Sequence, residues 1–70
     1  MWERVKQSEV VVRRNILPTR VILDRDAECG EYRTYLEIIP SDCDPTFLNG
    51  RIFRDQELAI EDFERRRQKL

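Results

Sequence analysis

The sequence predicts a small two-layer α+β domain: a three- or four-stranded antiparallel sheet with one C-terminal helix packed on one face. Three observations carry that expectation. Two runs rich in β-branched and aromatic residues, Thr19 to Arg25 and Glu31 to Ile39, flank the polar loop Asp26-Ala27-Glu28-Cys29-Gly30 and read as a β-hairpin. A stretch free of Gly and Pro follows Asp55 to the end of the chain, with acids first and bases last. The three prolines and two glycines fall between these segments rather than inside them.

The first segment, Ser8 to Leu17, holds Val10, Val11 and Val12 in succession, which favours an extended strand. A short helix from Trp2, with Trp2, Val5 and Val12 on one face, is the alternative. For the hairpin, the register is chosen by asking which pairing makes both faces chemically sensible, because a slip of one residue exchanges the faces. Setting Asp26 opposite Glu31 places Leu23 against Thr34, Val21 against Leu36 and Thr19 against Ile38 on one face. The other face then pairs Asp24 with Arg33, Ile22 with Tyr35 and Arg20 with Glu37. Two opposite-charge pairs arise from the same register, each worth roughly 0.2–1 kcal/mol.

After the loop Ser41 to Pro45, Asn49-Gly50 between short apolar arms is a tight-turn signal; the pair either closes a second hairpin or starts a last strand, Arg51 to Arg54. The helix is expected from Asp55 as N-cap to about Lys69. Glu57, Glu61, Asp62 and Glu64 precede Arg65, Arg66, Arg67 and Lys69, an order that complements the macrodipole. Ala59, Ile60, Phe63 and Leu70 form its apolar stripe. The expected core is Val10, Val12, Val21, Leu23, Leu36, Ile38, Phe53, Ala59, Ile60 and Phe63.

The chain has 70 residues, with no repeat, linker or low-complexity tract, so residues 1–70 read as one domain with one thin core. Thirteen Lys and Arg stand against fourteen Asp and Glu, a balance that favours neither a polycationic nucleic-acid binder nor an acidic mimic. Eleven of the basic residues are arginine, which suits geometrically specific ion pairs at a protein interface. The charged start of the chain and the lack of a long apolar run point to a cytoplasmic protein with no membrane association. Cys29 and Cys43 are then expected as reduced thiols, with a redox role as a minor option.

No cofactor or metal is expected. There is no histidine and no Cys-x-x-Cys pair to ligate zinc. The pairs Asp24/Asp26 and Asp42/Asp44 lack the Gly and Glu of a calcium loop and are assigned to turn chemistry. Catalysis is not expected either. Nucleophile activation lacks a histidine base, no glycine-rich phosphate loop is present, and Glu28 beside Cys29 would raise the thiol pKa.

Two function classes follow. The first is a small protein-binding module, a homodimer or an accessory or inhibitory subunit, because one helix leaves the second sheet face open. That face carries Ile22, Tyr35 and Ile39, rimmed by Arg20, Arg33 and Glu37, an anchor-and-rim composition. Folding of Trp2 and the N-terminal segment over the strip is the competing expectation. The second class is nucleic-acid binding through Arg13, Arg14, Arg51, Arg54 and the helical arginines, if the strands that carry them meet. Against it, consecutive helical arginines point about 100° apart, and Glu61–Arg65 and Asp62–Arg66 are favourable pairs four residues apart. A strand hairpin followed by an acidic-to-basic helix also resembles the make-up of many short phage and bacterial proteins, a likeness of style that implies no function.

Overall fold

A computed structural model describes residues 1–70. The elements in chain order are β1 (Trp2–Gln7), β2 (Val11–Arg13), β3 (Ile16–Asp26), β4 (Glu31–Ile38), β5 (Thr46–Phe53) and α1 (Gln56–Gln68). All strand pairs are antiparallel, in the order β1-β3-β4-β5, with β2 also paired to β3. Both β1 and β2 lie along the same edge of β3, the first opposite Ile22 to Asp26 and the second opposite Ile16 to Thr19. The sheet therefore has five strands, not three or four, although it is only four positions wide.

The segment expected as one strand, Ser8 to Leu17, is divided by a turn at Arg14-Asn15 into β2 and the start of β3, and a further strand, β1, precedes Ser8. Ser8 is buried. Its Oγ accepts from the Val21 amide at 2.9 Å while its own amide donates to the Val21 carbonyl at 2.9 Å. A side chain thus replaces a backbone partner, and the edge strand is interrupted between Gln7 and Val11. The residues before it are strand, not the alternative short helix.

The valine run takes the opposite parity from the one expected. Val11 pairs with Thr19 on the helix-covered face, so Val10 and Val12 point away and stay 43% and 72% exposed. Neither belongs to the core. Ile38 is on the expected face but only half-buried, and lines a small cavity with Val11, Ile16 and Leu70.

The central hairpin has the register derived from its charges: Asp24 opposes Arg33, Arg20 opposes Glu37 and Ile22 opposes Tyr35, from Thr19↔Ile38 through Asp26↔Glu31. At the turn, Gly30 adopts φ 70°, which glycine tolerates without steric cost, and Asp26 Oδ1 accepts from the Glu28 amide at 3.0 Å. The second tight-turn signal resolves differently. Only Asn49 has positive φ, 56°, whereas a two-residue type I′ turn needs it at both positions. The chain runs through as one strand with a β-bulge, shifting register between Thr34↔Arg51 and Leu36↔Leu48, so that Tyr35 faces both Asn49 and Gly50.

Helix α1 begins as expected. Asp55 Oδ1 accepts from the amides of Glu57 at 2.8 Å and Leu58 at 3.3 Å. Ala59 and Phe63 are buried against Val21 and Leu23, with Tyr32, Leu36, Phe53, Ile60 and Leu70 packed around them. One polar residue shares that face. Asp62 is 5% exposed, and Thr34, fully buried in β4, donates its hydroxyl to Asp62 Oδ2 at 2.6 Å. Arg66 Nε donates to the same oxygen at 2.7 Å. Burial alone would raise the Asp62 pKa, but the hydrogen bonds from Thr34 and Arg66 and the charges of Arg66 and Arg51 outweigh it and hold the carboxyl below its usual value.

Two tests follow from this docking. Asp55→Ala removes the cap and is expected to cost about 1 kcal/mol in urea unfolding. Because the folded pKa of Asp62 is depressed, its contribution is present above the unfolded value of about 3.9 and is lost as pH falls through the folded value. Stability should therefore drop in acid, and Asp62→Asn should cost about 2 kcal/mol at neutral pH while flattening part of that drop. An acid dependence identical in the variant would contradict the assignment.

Candidate functional site

The second sheet face is built by the even-numbered side chains of β3 and the odd-numbered ones of β4. Asp24, 4% exposed, is its polar centre. Arg33 Nε donates to Asp24 Oδ2 at 2.9 Å, and the Tyr35 hydroxyl donates to the same oxygen at 2.7 Å. Burial raises the Tyr35 pKa first, and the hydrogen bond to Asp24 with its negative charge adds to the rise. The Arg33 guanidinium lies over the Trp2 ring, 4.4 Å from its centroid. Arg20 is ion-paired to the buried Glu37.

These contacts close the strip expected to be open. Ile22 is fully buried, with Gln7 and Tyr35 beside it in register and Arg20 and Asp24 before and after it on the same face. Tyr35, Ile39, Arg20 and Arg33 are half-buried, and Glu37 is buried. The N-terminal strand contributes through Trp2, although β1 pairs at the edge of β3 rather than folding across the face. Ile22 is thus a core residue of the second face and not a docking anchor.

The exposed apolar groups on this face lie at its margins, Val12 on β2 and Phe47 and Ile52 on β5. Phe47 pairs with Glu37 and Ile52 with Arg33, so both point to the second face, 57% and 56% exposed. In a regular strand, residues five apart face opposite sides; the bulge at Asn49-Gly50 brings them to the same side. Sequence parity concealed this, and the Asn-Gly pair was the one available signal. The Phe47 ring meets Tyr35 edge-on, with centroids 5.5 Å apart. A shallow cavity of about 340 Å³ opens here, lined by Arg33, Tyr35, Phe47, Leu48, Asn49 and Gly50.

On the helix side of the same bulge lies a larger, basic groove of about 640 Å³. Arg51, Arg65, Arg66 and Lys69 line it around the single carboxylate of Asp62. Arg51 and Arg65 reach Asp62 Oδ1 at 3.8 and 3.6 Å, with side chains 65% and 58% exposed. Lys69 is exposed. Of the two helical pairs expected, Asp62–Arg66 forms, whereas Arg65 turns to Asp62 rather than Glu61. Arg67 points elsewhere, to Glu64 at 3.0 Å and Glu9 at 3.4 Å.

The basic edge suggested by Arg13, Arg14, Arg51 and Arg54 does not form. Arg13 ends β2 and Arg14 lies in the following turn, on the β1/β2 side of the sheet, while Arg51 and Arg54 belong to the β5 side. Arg54 approaches Glu31 at 3.8 Å. Two strands separate the two pairs.

Cys29 and Cys43 are free and exposed. A backbone hydrogen bond at Glu31 would lower the Cys29 pKa; local desolvation, the hydrogen bond from its thiol to the Glu31 carboxylate and the charges of Asp26 and Glu31 outweigh it, and the net direction is up. The carboxylates that act are Asp26 and Glu31, not Glu28. Of the Asp-x-Asp pairs, Asp26 forms a turn as expected, whereas Asp24 is an ion-pair partner within a strand. No helix is long and apolar enough to cross a membrane. Compared with known proteins, the chain matches no family model, no curated protein and no solved structure.

The two sets of second-face residues should behave differently on truncation. Ile22→Ala is expected to cost about 3 kcal/mol in urea unfolding, as for a buried aliphatic side chain. Phe47→Ala and Ile52→Ala, more than half exposed, should each cost about 1 kcal/mol or less. Equal losses at all three positions would contradict the reassignment.

Proposed function

We propose that this chain is a small, non-enzymatic protein-binding module, an accessory subunit or a homodimer, that takes its partner along β5. One observation carries the reading: β5 is an eight-residue edge strand, paired to β4 alone and exposed from Thr46 to Ile52, with Phe47, Leu48 and Ile52 each more than 40% exposed. An unpaired edge presents backbone donors and acceptors that an extended segment can satisfy, and adjacent side chains supply selectivity.

The opposite edge differs in charge rather than in apolar exposure, since Val5 and Val12 are 49% and 72% exposed there. Strand β1 carries Glu3, Arg4 and Lys6, and β2 carries Arg13, charges of the kind that protect an edge from unwanted pairing. Over its whole length β5 has a single charged residue, Arg51. Its bulge adds local twist, which disfavours indiscriminate stacking of flat edges while leaving each half of the strand available. A non-enzymatic role is supported by the lack of histidine and by the raised Cys29 pKa, which leaves little thiolate at neutral pH.

The groove around Arg51, Arg65, Arg66 and Lys69 favours a second reading, nucleic-acid binding, now resting on that groove rather than on a continuous edge with Arg13 and Arg14. Gel shifts over a salt series test it; no shift at low salt would retire it.

Selection of binders from a displayed random-peptide library, followed by hydrogen exchange of the complexes, tests the main reading. Bound peptides should protect amides within Thr46 to Phe53. The double variant Phe47→Lys with Ile52→Lys should weaken them at least about ten-fold with little change in the unfolding midpoint. Protection confined to β1 or β2, or undiminished binding by the double variant, would overturn it.

A further inference from the structure

We infer that the segment added to β5 carries acidic side chains at alternate positions and apolar side chains between them. This deepens the docking-edge reading and rests on it. Side chains of an added strand alternate between the two faces of the sheet. The two faces differ sharply beside β5. On one, Phe47 and Ile52 offer exposed apolar surface next to the Tyr35 ring. On the other, the side chains of Arg51, Arg65, Arg66 and Lys69 surround that of Asp62, an excess of three positive side-chain charges.

That excess is not balanced within the chain. Asp62 Oδ2 is occupied by Thr34 and Arg66 at 2.6 and 2.7 Å, and Oδ1 is shared by Arg51 and Arg65 at the looser distances of 3.8 and 3.6 Å. Lys69 has no ion-pair partner within 4.0 Å. Arg66 is engaged and largely covered, whereas Arg51 and Arg65 are held near one position without being saturated, so incoming carboxylates at the groove-side positions meet placed donors. Both cavities open at the same point, on either side of Asn49-Gly50.

A second copy of the chain fits one face only. Pairing β5 with itself so that Phe47 meets Ile52 would set a second Leu48 and a second Arg51 on the groove side, adding positive charge where negative charge is wanted. The occupant that satisfies both faces is an acidic, amphipathic extended segment of another protein.

Two end-blocked eight-residue peptides test this, one alternating valine with glutamate and the other valine with lysine, titrated into isotope-labelled protein and followed by NMR. The glutamate peptide should move amides across Thr46 to Phe53. Its affinity should fall at least about ten-fold in the double variant Arg65→Glu with Lys69→Glu, whose fold is checked by circular dichroism, and rise in Lys69→Arg or stay level. Equal binding of the lysine peptide at β5 would overturn the charge inference while leaving the docking edge intact. If neither peptide moves β5, the docking edge itself fails. Self-association through β5 that the glutamate peptide does not compete away would assign the edge to a second copy, and displacement of the peptide by a single-stranded oligonucleotide at equal charge concentration would assign the groove to nucleic acid.

Discussion

Helix α1 is fastened to the sheet by a buried carboxylate as well as by apolar packing. Thr34 projects from β4 into the core face, and Asp62 meets it from the helix. Leaving either group without the other would bury an unsatisfied polar atom, so the pair fixes which turn of the helix lies over which strand. Ala59 and Phe63 then fall on Val21 and Leu23. The same carboxylate gathers Arg51, Arg65 and Arg66, so one contact sets both the core and the basic groove beside β5.

Size determines what remains uncovered. Thirteen helical residues span roughly 20 Å, whereas an eleven-residue strand such as β3 extends about 36 Å. Once Asp62 has placed the helix, its C-terminal end stops short of the β2 end of the sheet, leaving Val11, Ile16 and Ile38 around a small cavity. Across the sheet, the outer edge of β5 has no strand beyond it. The second face is sealed differently, by the ion pairs of Asp24 with Arg33 and Glu37 with Arg20 and by the Trp2 ring over Arg33. Charge and aromatic stacking close the middle of that face, which leaves its exposed apolar surface at the margins, with Val12 on one side and Phe47 and Ile52 on the other.

The parts of this arrangement governed by local chemistry were legible in the sequence. Charge pairing fixed the β3–β4 register because only one alignment puts Asp24 opposite Arg33 and Arg20 opposite Glu37 together. The helix and its Asp55 cap followed from charge order and capping preference. What was illegible depended on single-residue shifts that change side-chain parity. Ser8 interrupts the edge strand through a side-chain hydrogen bond, and Val11 rather than its neighbours turns inward. Asn49 forms a bulge where the same dipeptide could form a hairpin, and the difference relocates Phe47 and Ile52 to one face. The burial of Ile22 was illegible for a related reason: it sits in a central strand, where long neighbouring side chains bury an apolar residue without a second layer above it.

Partner binding is proposed to depend on the open edge of β5. A photo-crosslinking amino acid introduced at Ile52, and in a separate variant at Arg20, tests it in the cells that make the protein. A discrete protein adduct is expected from position 52, lost when Phe47→Lys is added, with no comparable adduct from position 20. A discrete adduct from position 20 with none from position 52 would contradict it and return the binding surface to the centre of the sheet.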